Sequence, residues 1–209
     1  MPKVSTAHEQ ARREQILTAA ATCFARSGFA STSVPEIVSE AGLSVGSIYR
    51  YFASKEDLFL AVVADRVAVY NDAVFAELSR KAPVVKRLMG ALRRLQRLLL
   101  DHAPEDARLS LELWARAHDV AGLREWLVEA RSRRLEALQQ VLRQGKMVGE
   151  LRPDLHVDDA AAALVALADG LVVQRACSPF LSPAGSPLTE AERLVTSWRW
   201  ADAELASQA

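Results

Sequence analysis

A stretch of twelve residues, 41–52, constrains the fold of this chain more than any other part of it. It reads AGLSVGSIYRYF, in which Gly42 can take the positive φ that ends a helix and Ser44 is a favoured N-cap for the next one. Ile48 and Phe52 are four residues apart, so both side chains can face one core. Because a helix this short is unstable alone, the pattern predicts neighbouring helices that brace it.

The segment immediately upstream has the signature of such a bracing helix. Ser33 and Glu36 have the spacing of a capping box, and Pro35 lies in the first turn, where its missing N–H is tolerated. An apolar stripe at helical spacing follows and consists of Val34, Ile37, Val38 and Ala41. Two short helices joined by a tight glycine turn predict the helix-turn-helix of DNA-binding proteins.

The outward side of the second short helix offers polar groups to a partner. At roughly 100° per residue, Gly46 and Arg50 point away from the core, with Ser47 and Tyr49 on the flanks. Residues 1–55 contain six basic and four acidic side chains, a net charge of +2, and the whole chain is formally neutral. We therefore expect DNA contacts from individually placed residues and helix ends, rather than from a strongly basic surface.

Residues 42–46 also form a G-x-S-x-G sequence, which is typical of the serine nucleophile in α/β-hydrolases. That motif requires a β-strand before the serine and a helix after it. A capped helix precedes Ser44 here, and the chain has no β-alternating runs. A serine hydrolase is the alternative that this motif raises, but we predict no catalytic residues and no enzymatic activity.

Composition narrows the remaining classes of protein. The chain has 209 residues and is 50% hydrophobic, enough for a substantial core. Its two cysteines stand far apart, which fits a reducing compartment, and no apolar leader follows the N-terminus, so we expect a cytoplasmic protein. The longest apolar run, 160–173, is interrupted by Asp169, so no membrane partner is expected. The four histidines lack ligand spacing, and we predict neither a metal nor a cofactor.

Apolar periodicity beyond the helix-turn-helix is helical throughout, so the predicted fold is all-α with about nine helices. The sequence predicts that residues 1–55 form a DNA-binding domain and residues 56–209 form a second helical domain. Besides the two short helices, the pattern predicts helices over residues 6–28, 56–78, 83–103, 105–118, 121–144, 157–177 and 188–206, with Gly145 ending the helix before it.

Two of these helices have the composition of a subunit interface. Residues 157–177 are rich in alanine and apolar nearly all round, and the last helix carries Trp198 and Trp200. A central core helix with an aromatic cap would explain the same composition. We favour an interface in which small residues allow close crossing and tryptophans anchor the partner, because a C₂ dimer is the commonest oligomer.

Lys55 is an unusual choice for the first turn of a helix, since a cation there opposes the helix macrodipole. A DNA phosphate would explain the charge, because helix N-termini bind phosphate and a lysine reinforces that. A solvated lysine neutralised by Glu56 and Asp57 explains it equally well, and charge alone does not choose between the two.

The run from Ile16 to Phe59 resembles the DNA-binding region of TetR-type transcriptional repressors. The residues that carry the resemblance are Phe24, Gly28, residues 32–34, Ile37, residues 41–44, residues 46–49, Phe52 and residues 55–58. By resemblance, Thr32, Tyr49, Tyr51 and Lys55 match positions that contact DNA phosphates. Ser33, next to Thr32, is predicted to belong to the same DNA-binding surface. Ser44, Val45, Gly46, Ser47 and Arg50 match the region that approaches or reads bases.

The remainder of the chain, by the same resemblance, is a ligand-binding and dimerisation domain. Residues 111–117, 149–154 and 168–171 look similar to the BetI-like C-terminal subgroup, without implying choline as the ligand. Tyr70, Trp114 and His118 are candidates to line a pocket between helices, although each has an ordinary structural explanation in a core.

The function predicted from these features is a ligand-responsive, DNA-binding transcriptional repressor that a small-molecule inducer releases from its operator. Its expected partners are a palindromic double-stranded DNA operator, an inducer of unknown identity and a second copy of itself. The alternative is a helical interaction protein that senses a ligand without binding DNA.

Overall fold

Nine α-helices make up most of the computed structural model, which describes residues 6–101, 104–177 and 187–200. Their bounds are α1 Thr6–Ser31, α2 Val34–Ala41, α3 Val45–Tyr49, α4 Lys55–Leu78, α5 Val84–Asp101, α6 Pro104–Arg116, α7 Ala121–Met147, α8 Val157–Cys177 and α9 Pro187–Ser197. Within these ranges there is no β-strand, only an isolated antiparallel bridge between Leu151 and Arg199. The predicted all-α class and helix number are confirmed.

Local sequence signals set the bounds of the first helices. α1 is interrupted at Gly28, where φ is 76° and ψ is 166°, a combination that favours glycine. α2 begins with the predicted capping box and ends at Gly42, with φ of 63°. The amide of Leu43 donates to the Val38 carbonyl over 3.1 Å, so the helix closes with a Schellman motif.

An aromatic cluster joins the helix-turn-helix to the rest of the protein. The rings of Phe24 and Phe29 lie 5.7 Å apart, and the Phe59 ring contacts both at 5.3 and 4.9 Å between centroids. Phe24 and Phe59 are fully buried. Since Phe59 comes from α4, this long helix shares one core with α1 and packs against the helix-turn-helix unit.

A second buried core lies among α4, α5, α7, α8 and α9. α8 is near its centre, and Ala161, Leu164 and Leu171 are among its buried residues. By length and hydropathy alone α8 could cross a membrane, but a core helix of a bundle passes the same test. A Cβ added at Gly170 would meet nothing within 4 Å, so this side of α8 is open.

Gly145 does not end α7, which continues to Met147, and this corrects the prediction. A Cβ at this position would lie 2.7 Å from the Leu151 side chain and 3.2 Å from Val84. Glycine is therefore used here for close packing, not for a turn. The positive φ after the helix, 73°, is taken by Gly149 instead.

The last helix ends earlier than predicted, at Ser197, and residues 201–206 lie outside the described part of the chain. Trp198 is buried in the core of its own subunit, and its carbonyl accepts from the Arg152 amide over 3.0 Å. Trp198 is thus a core residue and not the interface anchor that the sequence suggested. Trp200 is exposed, and its amide donates to the Glu150 carbonyl over 3.1 Å.

Candidate DNA interface and ligand cavity

One side of α3 presents five residues to solvent: Ser44, Val45, Gly46, Tyr49 and Arg50, which we call the outer face of α3. Val45 is 46% exposed and Tyr49 is 50% exposed, which is unusual for large apolar and aromatic side chains. No atom outside the local backbone lies within 4 Å of a Cβ added at Gly46, so a bulky partner could approach the backbone there. These residues were all predicted to contact DNA.

The opposite side of α3 holds the helix in place. Ile48 and Phe52 are buried in the core that contains Phe24, Phe29 and Phe59, as their spacing predicted. At the start of the helix the Ser44 hydroxyl oxygen accepts from the Ser47 amide over 3.2 Å, and the two hydroxyls lie 2.9 Å apart. The five-residue helix therefore owes its position to one cap and two buried side chains.

Arg50 is the charged member of the outer face. Its guanidinium lies 3.3 Å from the Glu9 carboxylate on α1, and both side chains are substantially exposed. It also lies 6.0 Å from the ring of Tyr51, which is half-buried. An exposed ion pair of this kind contributes little to stability, so Arg50 can exchange Glu9 for a DNA phosphate or base at small cost.

The turn at Phe29 forms a second polar cluster, which we call the Phe29 joint. The Lys55 ammonium donates to the carbonyls of Phe29 and Thr32 over 2.9 and 2.8 Å, and lies 4.2 Å from the Phe29 ring centroid. Thr32 is only 2% exposed, and its hydroxyl lies 2.7 Å from the Gly28 carbonyl. This placement argues against direct phosphate contacts from the side chains of Thr32 and Lys55. It also differs from the solvated lysine that was the other explanation.

Ser33, another predicted contact, is occupied with capping α2. Its amide donates to the Glu36 carboxylate over 2.6 Å, and its hydroxyl lies 2.9 Å from the same oxygen. These two bonds from Ser33 hold the pKa of the Glu36 carboxyl below its ordinary value.

α6 also reaches the Phe29 joint. The Glu112 carboxylate accepts from the Phe29 amide over 2.7 Å, and the Arg116 guanidinium lies 3.9 Å from the Phe29 ring centroid. A hydrogen bond from a half-buried amide to a charged acceptor is strong. The Phe29 joint therefore connects the helix-turn-helix to α6 through the amide and the ring of Phe29.

A cavity of about 130 Å³ lies between α4, α5, α6, α7 and α8. Most of its wall is apolar. The lining residues are Val67, Tyr70, Asn71, Val74, Phe75, Leu78, Leu88, Ala91, Leu92, Leu95, Leu99, Ser110, Leu113, Trp114, Trp126, Leu127, Ala130, Arg134, Leu138, Leu164, Val165, Ala168, Asp169 and Val172.

Two of the three predicted pocket residues, Tyr70 and Trp114, line this cavity. His118 does not, because it lies in the turn after α6 with its side chain exposed, so that prediction is corrected. Sequence reasoning missed Trp126 and Arg134. A signal was present, since Trp126, Ala130, Arg134 and Leu138 recur every four residues on α7 and place an arginine within an apolar stripe.

Ser44 has none of the surroundings of a hydrolytic serine. Helix α2 precedes it, where the hydrolase motif requires a strand, and its hydroxyl oxygen caps α3. In the described ranges there is no cluster of three or more histidine, cysteine or acidic side chains that could hold a metal ion.

Two family models match the chain. Residues 16–62 match the model described as bacterial regulatory proteins of the tetR family, and residues 86–198 match the C-terminal domain of BetI-type transcriptional repressors. The second match alone covers more than half of the 209 residues.

Individual proteins give the same picture. The chain is 30% identical to the HTH-type transcriptional repressor Rv1474c of Mycobacterium tuberculosis over 178 residues, covering 84% of this chain and 88% of that protein. It resembles a transcriptional regulator from Saccharomonospora viridis solved in complex with choline (TM-score 0.70, 26% identity, 90% and 95% of the two chains). FadR from Bacillus subtilis, solved with stearoyl-CoA, shares the fold (TM-score 0.70, 23% identity, 87% and 94%).

Proposed function

Since the chain belongs to the TetR family of bacterial regulatory proteins, we propose that it is a cytoplasmic homodimer that represses transcription from a palindromic operator and leaves it on binding a small molecule. The observation that carries the proposal is the outer face of α3, which is exposed on a helix-turn-helix whose other side is capped and buried.

On DNA, each subunit places α3 in the major groove. Val45, Gly46 and Arg50 approach base edges, while Tyr49 lies at the flank, where its phenol reaches the backbone. Lys55 and Thr32 support these contacts indirectly. Their hydrogen bonds to backbone carbonyls hold the turn at Phe29, which precedes α2. Two such helices in a dimer read half-sites about 34–36 Å apart.

The inducer binds in the cavity between α4 and α8. A mostly apolar space with a few polar groups is the usual form of a small-molecule site. The choline complex and the stearoyl-CoA complex of similar folds support a ligand-binding role for this domain. The two ligands differ in chemistry, so they do not identify the compound that this chain binds.

α6 supplies the coupling between ligand and DNA. Ser110, Leu113 and Trp114 line the cavity, while Glu112 and Arg116 on the same helix reach the Phe29 joint. A ligand that displaces α6 therefore also displaces the turn in front of α2. If the ligand binds the arrangement with α6 displaced more tightly, it lowers operator affinity by at most that difference in binding free energy.

The dimer forms through the open side of α8. Ala163, Ala166 and Gly170 recur at helical spacing on this side, and the first two are exposed. Leu194 on α9 adds an exposed apolar side chain. Small residues of this kind let two helices cross closely about a twofold axis.

A gel-shift titration on the DNA flanking the gene tests the proposal. Arg50→Ala should weaken operator binding about tenfold or more, because one base or phosphate contact is worth roughly 1–3 kcal/mol, and Tyr49→Phe should weaken it less. Arg133→Ala, an exposed arginine on α7, is the matched control and should bind normally. The alternative, a ligand-sensing interaction protein, predicts no specific shift for any of the four proteins.

A further inference from the structure

Arg134 on α7 is the polar feature of the cavity that the fold does not explain. Its side chain is 24% exposed, and one terminal nitrogen donates to the Asp169 carboxylate over 2.7 Å. Its Nε atom is fully buried, and among the described residues it is the one buried side-chain nitrogen or oxygen without a hydrogen-bond partner. A buried N–H in this state costs free energy unless something accepts its hydrogen.

The charges around Arg134 restrict what that acceptor is. Asp169 is already shared, since its second oxygen lies 3.7 Å from the Arg131 guanidinium. Arg131, Arg134 and Asp169 together carry a net charge of +1. Arg134 and Asp169 line the cavity, whereas the Arg131 side chain beside them is 48% exposed and is not among the lining residues. A bound carboxylate would balance the net charge of this cluster, a neutral ligand would leave it unchanged, and a cationic ligand would raise it to +2 at the wall of a mostly apolar cavity.

The size and lining of the cavity restrict the rest of the ligand. Its volume of about 130 Å³ is close to that of an apolar protein cavity of about 150 Å³ that binds benzene. Trp114 and Trp126 contribute flat aromatic surface to its wall. This space suits an apolar body of about one ring.

We propose that the cavity takes a small apolar molecule bearing a carboxylate, and that Arg134 turns its guanidinium, together with the now buried Nε–H, to pair with that carboxylate. This proposal rests on the proposed function, because it names the chemical class of the inducer. A charge-assisted bond of this type is stronger than one to a neutral acceptor, so the carboxylate provides selectivity as well as affinity.

Calorimetric titration of the full-length protein with three compounds that share one ring tests the proposal: benzoate, benzyl alcohol and benzyltrimethylammonium. Benzoate should bind at least about tenfold more tightly than either of the others. Tighter binding of benzyltrimethylammonium, or no saturable benzoate binding up to about 10 mM, would overturn the proposal.

Two variants and a control locate the effect. Arg134→Lys keeps the positive charge beside Asp169 but removes the Nε–H, so it should weaken benzoate binding about tenfold or more and leave benzyl alcohol nearly unchanged. Arg133→Lys makes the same exchange at the exposed neighbour on α7 and should change neither. Should Arg134→Lys fail to fold, Asp169→Asn decides, because removing that carboxylate should tighten benzoate binding. Benzoate binding that is unchanged in Arg134→Lys, or weakened in Asp169→Asn, contradicts the proposal.

The gel shift separates failure of the ligand class from failure of the proposed function. If wild-type protein binds the operator but not benzoate, the carboxylate proposal alone is wrong. If wild-type protein does not bind the operator, the repressor function is wrong whatever the calorimetry shows.

Discussion

The outer face of α3 and the Phe29 joint lie within the same helix-turn-helix unit, and both contain residues that the family resemblance assigns to DNA. On the outer face, Tyr49 and Arg50 are exposed and have at most a weak surface ion pair. At the joint, Lys55 and Thr32 are bonded to backbone carbonyls in the interior of the turn. A polar residue in such a motif is therefore exposed to a partner in one case and a structural support in the other.

This difference predicts how substitutions will behave. Changes on the outer face remove groups that the folded protein does not use, so they should affect DNA affinity with little effect on stability. Changes at the joint leave carbonyls or an amide without a partner, so they should affect stability and the contact between the helix-turn-helix and α6. The three predictions below test this division, from the largest expected effect to the smallest.

Lys55→Met should destabilise the protein while leaving the ionic character of DNA binding intact. Methionine keeps an apolar stem of similar length but removes the donor to two carbonyls, which should lower the free energy of unfolding by about 2 kcal/mol. Urea denaturation measures this loss, with Lys86→Met on the exposed side of α5 as the control.

The salt dependence of operator binding separates the two roles of Lys55. A lysine that contacts a phosphate contributes about one unit to the slope of log affinity against log salt, and its loss reduces the slope by that amount. We expect Lys55→Met to keep the wild-type slope. A reduced slope together with unchanged stability would return Lys55 to the DNA interface.

Sequence alone could predict much of the helix-turn-helix because its signals are local. Ser33, Glu36, Gly42 and Ser44 act on backbone groups within a few residues of themselves, and all four have the predicted role in the structure. The apolar spacing of Ile48 and Phe52 likewise depends only on helix geometry. Such features need no knowledge of what packs against the helix.

The features that sequence did not predict depend on distant residues. Gly145 looked like a helix end, and only its contact with Leu151 and Val84 shows why glycine is there. Lys55 had two explanations from charge, and the carbonyls that it actually binds belong to a turn more than twenty residues earlier. Arg134 interrupts an apolar stripe that the sequence shows, but its partner, Asp169, lies on another helix, and only the structure brings the two together.

Ser44 tests the outer face itself, because it caps α3 and also faces the proposed groove. Ser44→Ala removes the acceptor for the Ser47 amide and should cost about 1 kcal/mol of stability, with weaker operator binding as the first turn of α3 frays. Ser44→Asp keeps a good cap and adds a charge that suits a helix N-terminus.

The aspartate variant should therefore separate stability from DNA binding. We expect it to melt close to the wild-type temperature and yet to bind the operator much more weakly, because its charge lies beside DNA phosphates. Thermal unfolding and gel shift on the same samples provide both measurements. An aspartate variant with normal operator affinity would remove Ser44 from the interface and contradict the placement of α3 in the groove.

The smallest expected effect concerns the α2 cap behind the outer face, and it depends on pH. Hydrogen bonds from the Ser33 amide and hydroxyl lower the pKa of Glu36, so they favour its ionised form in the folded protein. The stabilisation is fully present above the ordinary carboxyl pKa and is lost as pH falls through the lowered value of the folded state.

Glu36→Gln retains an oxygen acceptor for the Ser33 amide but has no proton to gain. We therefore expect wild type to melt at a higher temperature than Glu36→Gln at about pH 7, with a gap that closes as the pH falls through the lowered pKa of Glu36 in the folded protein. Glu125→Gln on the exposed side of α7 controls for the loss of one surface carboxylate. A gap for Glu36→Gln that persists unchanged in acid would show that the cap does not depend on the charge of Glu36.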